Sequence, residues 1–154
     1  MGGPGENAAM VEVGWFREFG FPGWSFGDWK LRGNLSLDAG YWHAYGRESS
    51  HDTKEVGVTP VFRLEPTGTG PLYLEGGVGV HLISHTLINA ERRFSTSLQF
   101  GDLLGFGLRL GEHLQYEVGL RIVHFSNAGI KEPNSGINFV ALQLAYRFAP
   151  KAVP

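Results

Sequence analysis

The stretch KLRGNLSLDAGYWHAY, residues 30–45, decides the fold. Its odd positions begin Leu31, Gly33, Leu35, Leu37, Ala39 and Tyr41; its even positions begin Lys30, Arg32, Asn34, Ser36, Asp38 and Gly40. A helix would spread both sets around its circumference, whereas a strand puts them on opposite faces. The same alternation returns in residues 10–19, 55–65, 72–83, 94–110, 115–127 and 137–148. In 115–127, for example, Tyr116, Val118, Leu120 and Ile122 oppose Glu117, Gly119 and Arg121. No segment has helical periodicity, and none approaches the ~18 consecutive apolar residues of a membrane helix. The chain is therefore all-β.

The sense of the barrel depends on which parity meets the solvent. A soluble, lipocalin-like barrel hides its apolar parity inside, and a membrane barrel turns that parity to lipid. Alternation alone fits both. The polar parity carries Lys30, Arg32, Asp38, Glu55, Arg63, Glu75, Arg109, Glu117, Arg121 and Arg147, mixed in sign and able to pair across a narrow lumen. It also holds Gly40, Gly57, Gly77, Gly79, Gly105, Gly107 and Gly119, which suit a crowded interior. The apolar parity ends in aromatic residues, including Tyr146 and Phe148 in the last strand, as interfacial girdles require. These two features favour the membrane. A mean hydropathy of −0.11 is compatible with it, because only alternate residues touch lipid.

The expected architecture is an antiparallel up-and-down transmembrane β-barrel of the eight-stranded class, one domain over 1–154, with strands in 7–148 and tails at 1–6 and 149–154. Short turns at 66–71 and 111–114 alternate with longer polar loops at 46–53, 84–93 and 128–136, the outer-membrane pattern. About seven strands are visible. An odd count makes the first and last strands run the same way, so a first strand is expected to be missing and a seam is expected between 10–19 and 137–148. Pro60 cannot donate to a ladder and predicts a bulge or local break. The opening MGGPGENAA lacks a basic-then-apolar secretion signal, so if the protein is exported a mature or trimmed form is expected here.

Chemistry concentrates in HFSNAGIKEPNSGIN, residues 124–138, where polar groups break the apolar parity. His124 and Ser126 share the parity of Ile122 and project from the lipid-facing surface at the long-loop end. Two positions apart on a strand, their Cβ atoms lie roughly 7 Å from one another. That spacing permits an imidazole to activate a hydroxyl as general base. Isolated, His-x-Ser is short and common and reads as an interfacial polar pair. Asn127, Gly129, Asn134 and Gly136 follow it in a loop suited to donating hydrogen bonds. Asn138 has the apolar parity of its strand and falls opposite His124; its amide oxygen could fix the imidazole tautomer, as an amide does in Cys-His-Asn sites. Asp102, with the parity of Leu104, falls near His124 from the other side and is an alternative acid, or else a rim residue in the headgroup layer. Glu132 is a weaker candidate in the loop. Arg92 and Arg93 could meet phosphates, although a solvated pair is the commoner meaning. His81 has the lumen parity, and the other histidines show no zinc-ligand spacing.

HFSNAGIKEPNSGIN, together with LYLEGGVGV and LQFGDLLGFGL upstream, closely resembles the PagL-type lipid A 3-O-deacylases over most of the chain. The resemblance implies an outer-membrane barrel of a Gram-negative bacterium that removes an ester-linked acyl chain from lipid A, with its site on the outer wall. Lipid A or lipopolysaccharide and the surrounding lipids would be its partners, and it would need no metal or other cofactor. By the same resemblance His124 is the base, Ser126 the nucleophile and Asn127 an oxyanion-hole residue, with Gly129 and Asn134 shaping the loop. The family's triad glutamate corresponds to Asn138 here, a departure that removes a charge.

Composition excludes other classes. A net charge of −2 gives no electrostatic reason to bind nucleic acid. The absence of cysteine rules out disulfides and thiolate metal sites. Two rivals remain: a catalytically silent barrel that binds lipid or anchors the envelope, and a soluble lipocalin-like binder.

Overall fold

A computed structural model describes residues 7–19, 23–45 and 50–148; the expected tails at 1–6 and 149–154 lie outside them. Seven long strands form one antiparallel sheet: β1 (Ala8–Glu18), β3 (Trp29–Ala44), β4 (Thr53–Pro66), β5 (Leu72–Ile83), β6 (Leu98–Leu110), β7 (Tyr116–Ser126) and β8 (Ile137–Tyr146). The two-residue β2 (Ser25–Phe26) pairs with the start of β3 around Gly27, whose φ of 58° suits the turn. Sequence periodicity gave no hint of so short a strand. Pro60 breaks the β4–β5 ladder without shifting it: Val58 pairs with Val80 and Val61 with Gly77, the same register on both sides of the gap.

Burial settles the sense of the barrel. Leu104 and Leu142 are 68% and 66% exposed, while Glu75 is 3% exposed. Residues 30–45 behave as their alternation requires, with Leu37 and Tyr41 exposed outside and Ser36 buried inside. Tyr116, Tyr146 and Phe148 touch in series, ring edge to ring face or tilted, on the outer wall at the short-turn end. A soluble barrel would reverse these faces.

Inside, charge is neutralised by a lattice of ion pairs near the short-turn end. Arg63 reaches Glu75 at 2.7 Å and Glu117 at 2.9 Å, and Arg121 reaches Glu75 at 2.6 Å. Glu65 takes Arg32 at 2.6 Å and also pairs with Arg109. Arg63 lies 4.2 Å from the Tyr73 ring centre, a cation–π contact. The other half of the lumen departs from the all-polar interior expected from parity. There Trp42, Phe125, Phe139, Ile137, Ile83 and Val123 form an apolar plug, completed from the β5–β6 loop by Ile88 and Phe94. Phe94, expected at the start of a strand, instead lies in this loop.

The parity of the strand count has its consequence at the seam. The edges of β1 and β8, which run in the same direction, share no ladder. A cavity of about 1110 Å³ opens between them, lined by Glu12, Phe16, Gln143 and Arg147 among others.

Candidate active site

Adjacent strands bring the predicted residues together at the long-loop end. His124 pairs in register with Asp102 of β6 on one side and Asn138 of β8 on the other. In an antiparallel sheet such partners point the same way, so all three face outward with Ser126. Asn138, not Asp102, holds the ring: its Oδ1 lies 2.8 Å from His124 Nδ1. An amide oxygen only accepts, so in the neutral ring Nδ1 carries the proton and Nε2 keeps its lone pair. Asp102 stands directly across, exposed, with no hydrogen bond or ion pair to the imidazole among the described residues.

The ring rests on Gly136. A Cβ at that position would come within 2.9 Å of His124 Cε1, and its φ of 62° is one that other residues adopt only under strain. Ser126 lies two residues along the same face and is half-buried, like His124. Its Oγ accepts a hydrogen bond from the Ala128 N–H at 3.4 Å. Ala128 has a φ of 54°, unusual for a residue with a side chain, so the chain bends sharply directly after this N–H.

Asn127 is only 1% exposed and its side chain is fully engaged. Its Nδ2 donates to Ser95 Oγ at 3.0 Å and to the Lys131 carbonyl at 2.7 Å, while its Oδ1 accepts from Gly129 N–H at 3.0 Å. Asn134 Oδ1 accepts the Asn127 backbone N–H at 3.0 Å. Asn127, Gly129 and Asn134 therefore build the loop, and the Asn127 amide is not turned toward Ser126. Glu132 accepts the Asn134 N–H at 2.9 Å and stays in the loop. Arg92 and Arg93 lie beside it: Arg93 N–H donates to Ser135 Oγ at 3.3 Å, and Arg92 Nη1 reaches the Ser135 carbonyl at 3.5 Å.

An apolar outer wall and a lumen charged in its short-turn half define an integral β-barrel of the outer membrane, with His124, Ser126 and Asn138 on its outward face. Comparison with known proteins gives the family. The family model described as "Lipid A 3-O-deacylase (PagL)" matches residues 9–147, and the chain belongs to that family of ester hydrolases. It is 38% identical to "Lipid A deacylase PagL" of Bordetella bronchiseptica over 136 residues, covering 87% of this chain and 70% of the relative. It is 30% identical to the protein of the same name from Pseudomonas aeruginosa, covering 92% and 80%. The solved structure described as "Crystal structure of the outer membrane enzyme PagL" superimposes with a TM-score of 0.82 at 28% identity, covering 94% of this chain and 93% of that one.

Proposed function

We propose that this barrel hydrolyses the 3-O-linked acyl ester of lipid A in the outer leaflet, with Ser126 as nucleophile and His124 as general base. The observation that carries the proposal is the Asn138–His124 hydrogen bond, 2.8 Å long, on the same lipid-facing wall as Ser126. It leaves the lone pair of His124 on Nε2 free, on the face it shares with Ser126.

In the first step Ser126 Oγ attacks the ester carbonyl carbon as its proton passes to His124 Nε2. The negative charge that develops on the carbonyl oxygen needs a donor fixed in advance. The Ala128 N–H, already directed at the Ser126 hydroxyl, is the donor we assign. The Asn127 side chain serves instead to hold that peptide in place. Collapse of the tetrahedral intermediate expels the sugar oxygen, which takes the proton from His124. Water activated by the same imidazole then releases the fatty acid from Ser126. Asn138 supplies orientation without charge. Arg93, exposed next to the site loop, is placed to meet a phosphate of the headgroup.

Mass spectrometry of lipid A tests the reading. Cells expressing the wild-type chain should lose the mass of one 3-hydroxyacyl group, and cells expressing Ser126→Ala should not. Unchanged lipid A in both, from a folded barrel in the outer membrane, would leave the silent-barrel reading in its place.

A further inference from the structure

The β7–β8 loop that carries Ala128 is held by its own hydrogen bonds and by the β5–β6 loop, which is stitched along it. Phe94 forms an isolated β-bridge with Asn134. Ser135 N–H donates to the Arg93 carbonyl at 3.2 Å, as does its hydroxyl. The tightest stitch is Ser95, whose Oγ donates to the Lys131 carbonyl at 2.6 Å while accepting from Asn127 Nδ2 at 3.0 Å. Asn127 Nδ2 also donates to the Lys131 carbonyl, closing a ring of three polar groups. One hydroxyl from a neighbouring loop thus fixes the residue directly after Ser126.

We infer that Ser95 is a positioning residue for ester hydrolysis: by clamping Asn127 and Lys131 it holds the Ala128 N–H against Ser126. The inference rests on Ser126 being the nucleophile. Without the Ser95 hydroxyl, one Asn127 amide hydrogen is left buried and unpaired, and a loop with a strained residue at its bend is free to relax. The hydrogen-bond donor for the oxyanion moves with it. A shift of about 1 Å in such a group costs on the order of 10²-fold in rate. Binding of the acyl chains, made on the outer wall below, is unaffected.

The test uses the full chain in detergent micelles with purified lipid A. Ser95→Ala should lower kcat by roughly 10- to 100-fold with KM unchanged and the barrel still folded by its heat-modifiable migration. Ser95→Thr, which restores a hydroxyl, should recover most of the rate. Combining Ser95→Ala with Asn127→Ala should cost no more than Asn127→Ala alone, since both break one unit. Should the alanine variant not fold, Ser95→Cys keeps the volume and weakens both hydrogen bonds, and its kcat should fall in the same sense. Wild-type kcat in Ser95→Ala or Ser95→Cys, or multiplicative losses in the double variant, would overturn the role of Ser95 alone. Retained deacylation by Ser126→Ala would overturn the underlying assignment of the nucleophile and the clamp with it.

Discussion

Two histidines in this barrel sit in clusters of nearly the same make-up. Inside, His81 has Glu55 Oε1 at 2.5 Å from Nδ1 and Thr59 Oγ1 at 3.2 Å from Nε2. Outside, His124 has only the Asn138 amide on Nδ1, with Ser126 nearby on the same face. Judged by acid, imidazole and hydroxyl alone, the inner cluster is the better relay. It is also sealed. His81 is 4% exposed, and the cavity beside it is about 10 Å³, near the smallest that admits one water. A Cβ on Gly57, Gly79 or Gly101 would collide with its ring, so three glycines form the box around it. An arrangement of side chains becomes a candidate for catalysis only where the substrate can reach it. The outer wall, where lipid arrives, carries the weaker cluster, and that is the one proposed for catalysis.

Removing the hydroxyl from each cluster should separate the two histidines most strongly. Ser126→Ala should reduce lipid A deacylation by roughly 10³-fold or more, and His124→Ala likewise. Thr59→Ala should leave the rate per folded barrel unchanged. Assays of fatty-acid release in micelles would separate the two, and a large loss in Thr59→Ala would mean that the interior is not merely structural.

A second contrast sets stability against chemistry. Glu75→Ala leaves Arg63 and Arg121 facing each other without their shared carboxylate, and breaking a buried pair costs about 3–5 kcal/mol. Denaturant unfolding in micelles should show that loss, with little change in kcat for the molecules that remain folded. Gly136→Ala should do the reverse. Its new methyl meets His124 Cε1 and displaces the imidazole, lowering kcat by about 10- to 100-fold. The left-handed backbone there adds only about 1–2 kcal/mol of instability.

The smallest effect is the most diagnostic. Asn138→Glu puts a carboxylate on His124 Nδ1, making the outer cluster resemble the inner one. The carboxylate favours the imidazolium, so the acidic limb of the pH–rate profile should move to higher pH. At pH values above that limb kcat should rise by less than about tenfold. Asp102→Asn should change neither quantity, since its carboxylate makes no hydrogen bond to the ring among the described residues. If Asp102→Asn shifted the acidic limb, Asp102 would be the working acid.

Much of this was determined by the sequence alone. Period-two alternation is a local property of each strand, so residues 30–45 announced the two faces of the barrel. The parity of His124 and Ser126 put them on the outer one. Counting along the turns brought Asn138 and Asp102 level with His124, and the resemblance of 124–138 supplied the chemistry to expect. The odd strand count foretold the seam between β1 and β8. The tertiary structure decided what depends on contacts between distant segments. It chose Asn138 over Asp102 at the imidazole, because register fixes only which residues are neighbours and rotamers decide which one bonds. It showed that Trp42, Phe125 and Phe139, on the polar parity of three strands, meet in an apolar plug with Phe94 and Ile88. It also brought Ser95 to Asn127, 32 positions away. Loop-to-loop hydrogen bonds leave no period in the chain, because neither loop has a repeating face, and only folding brings them together.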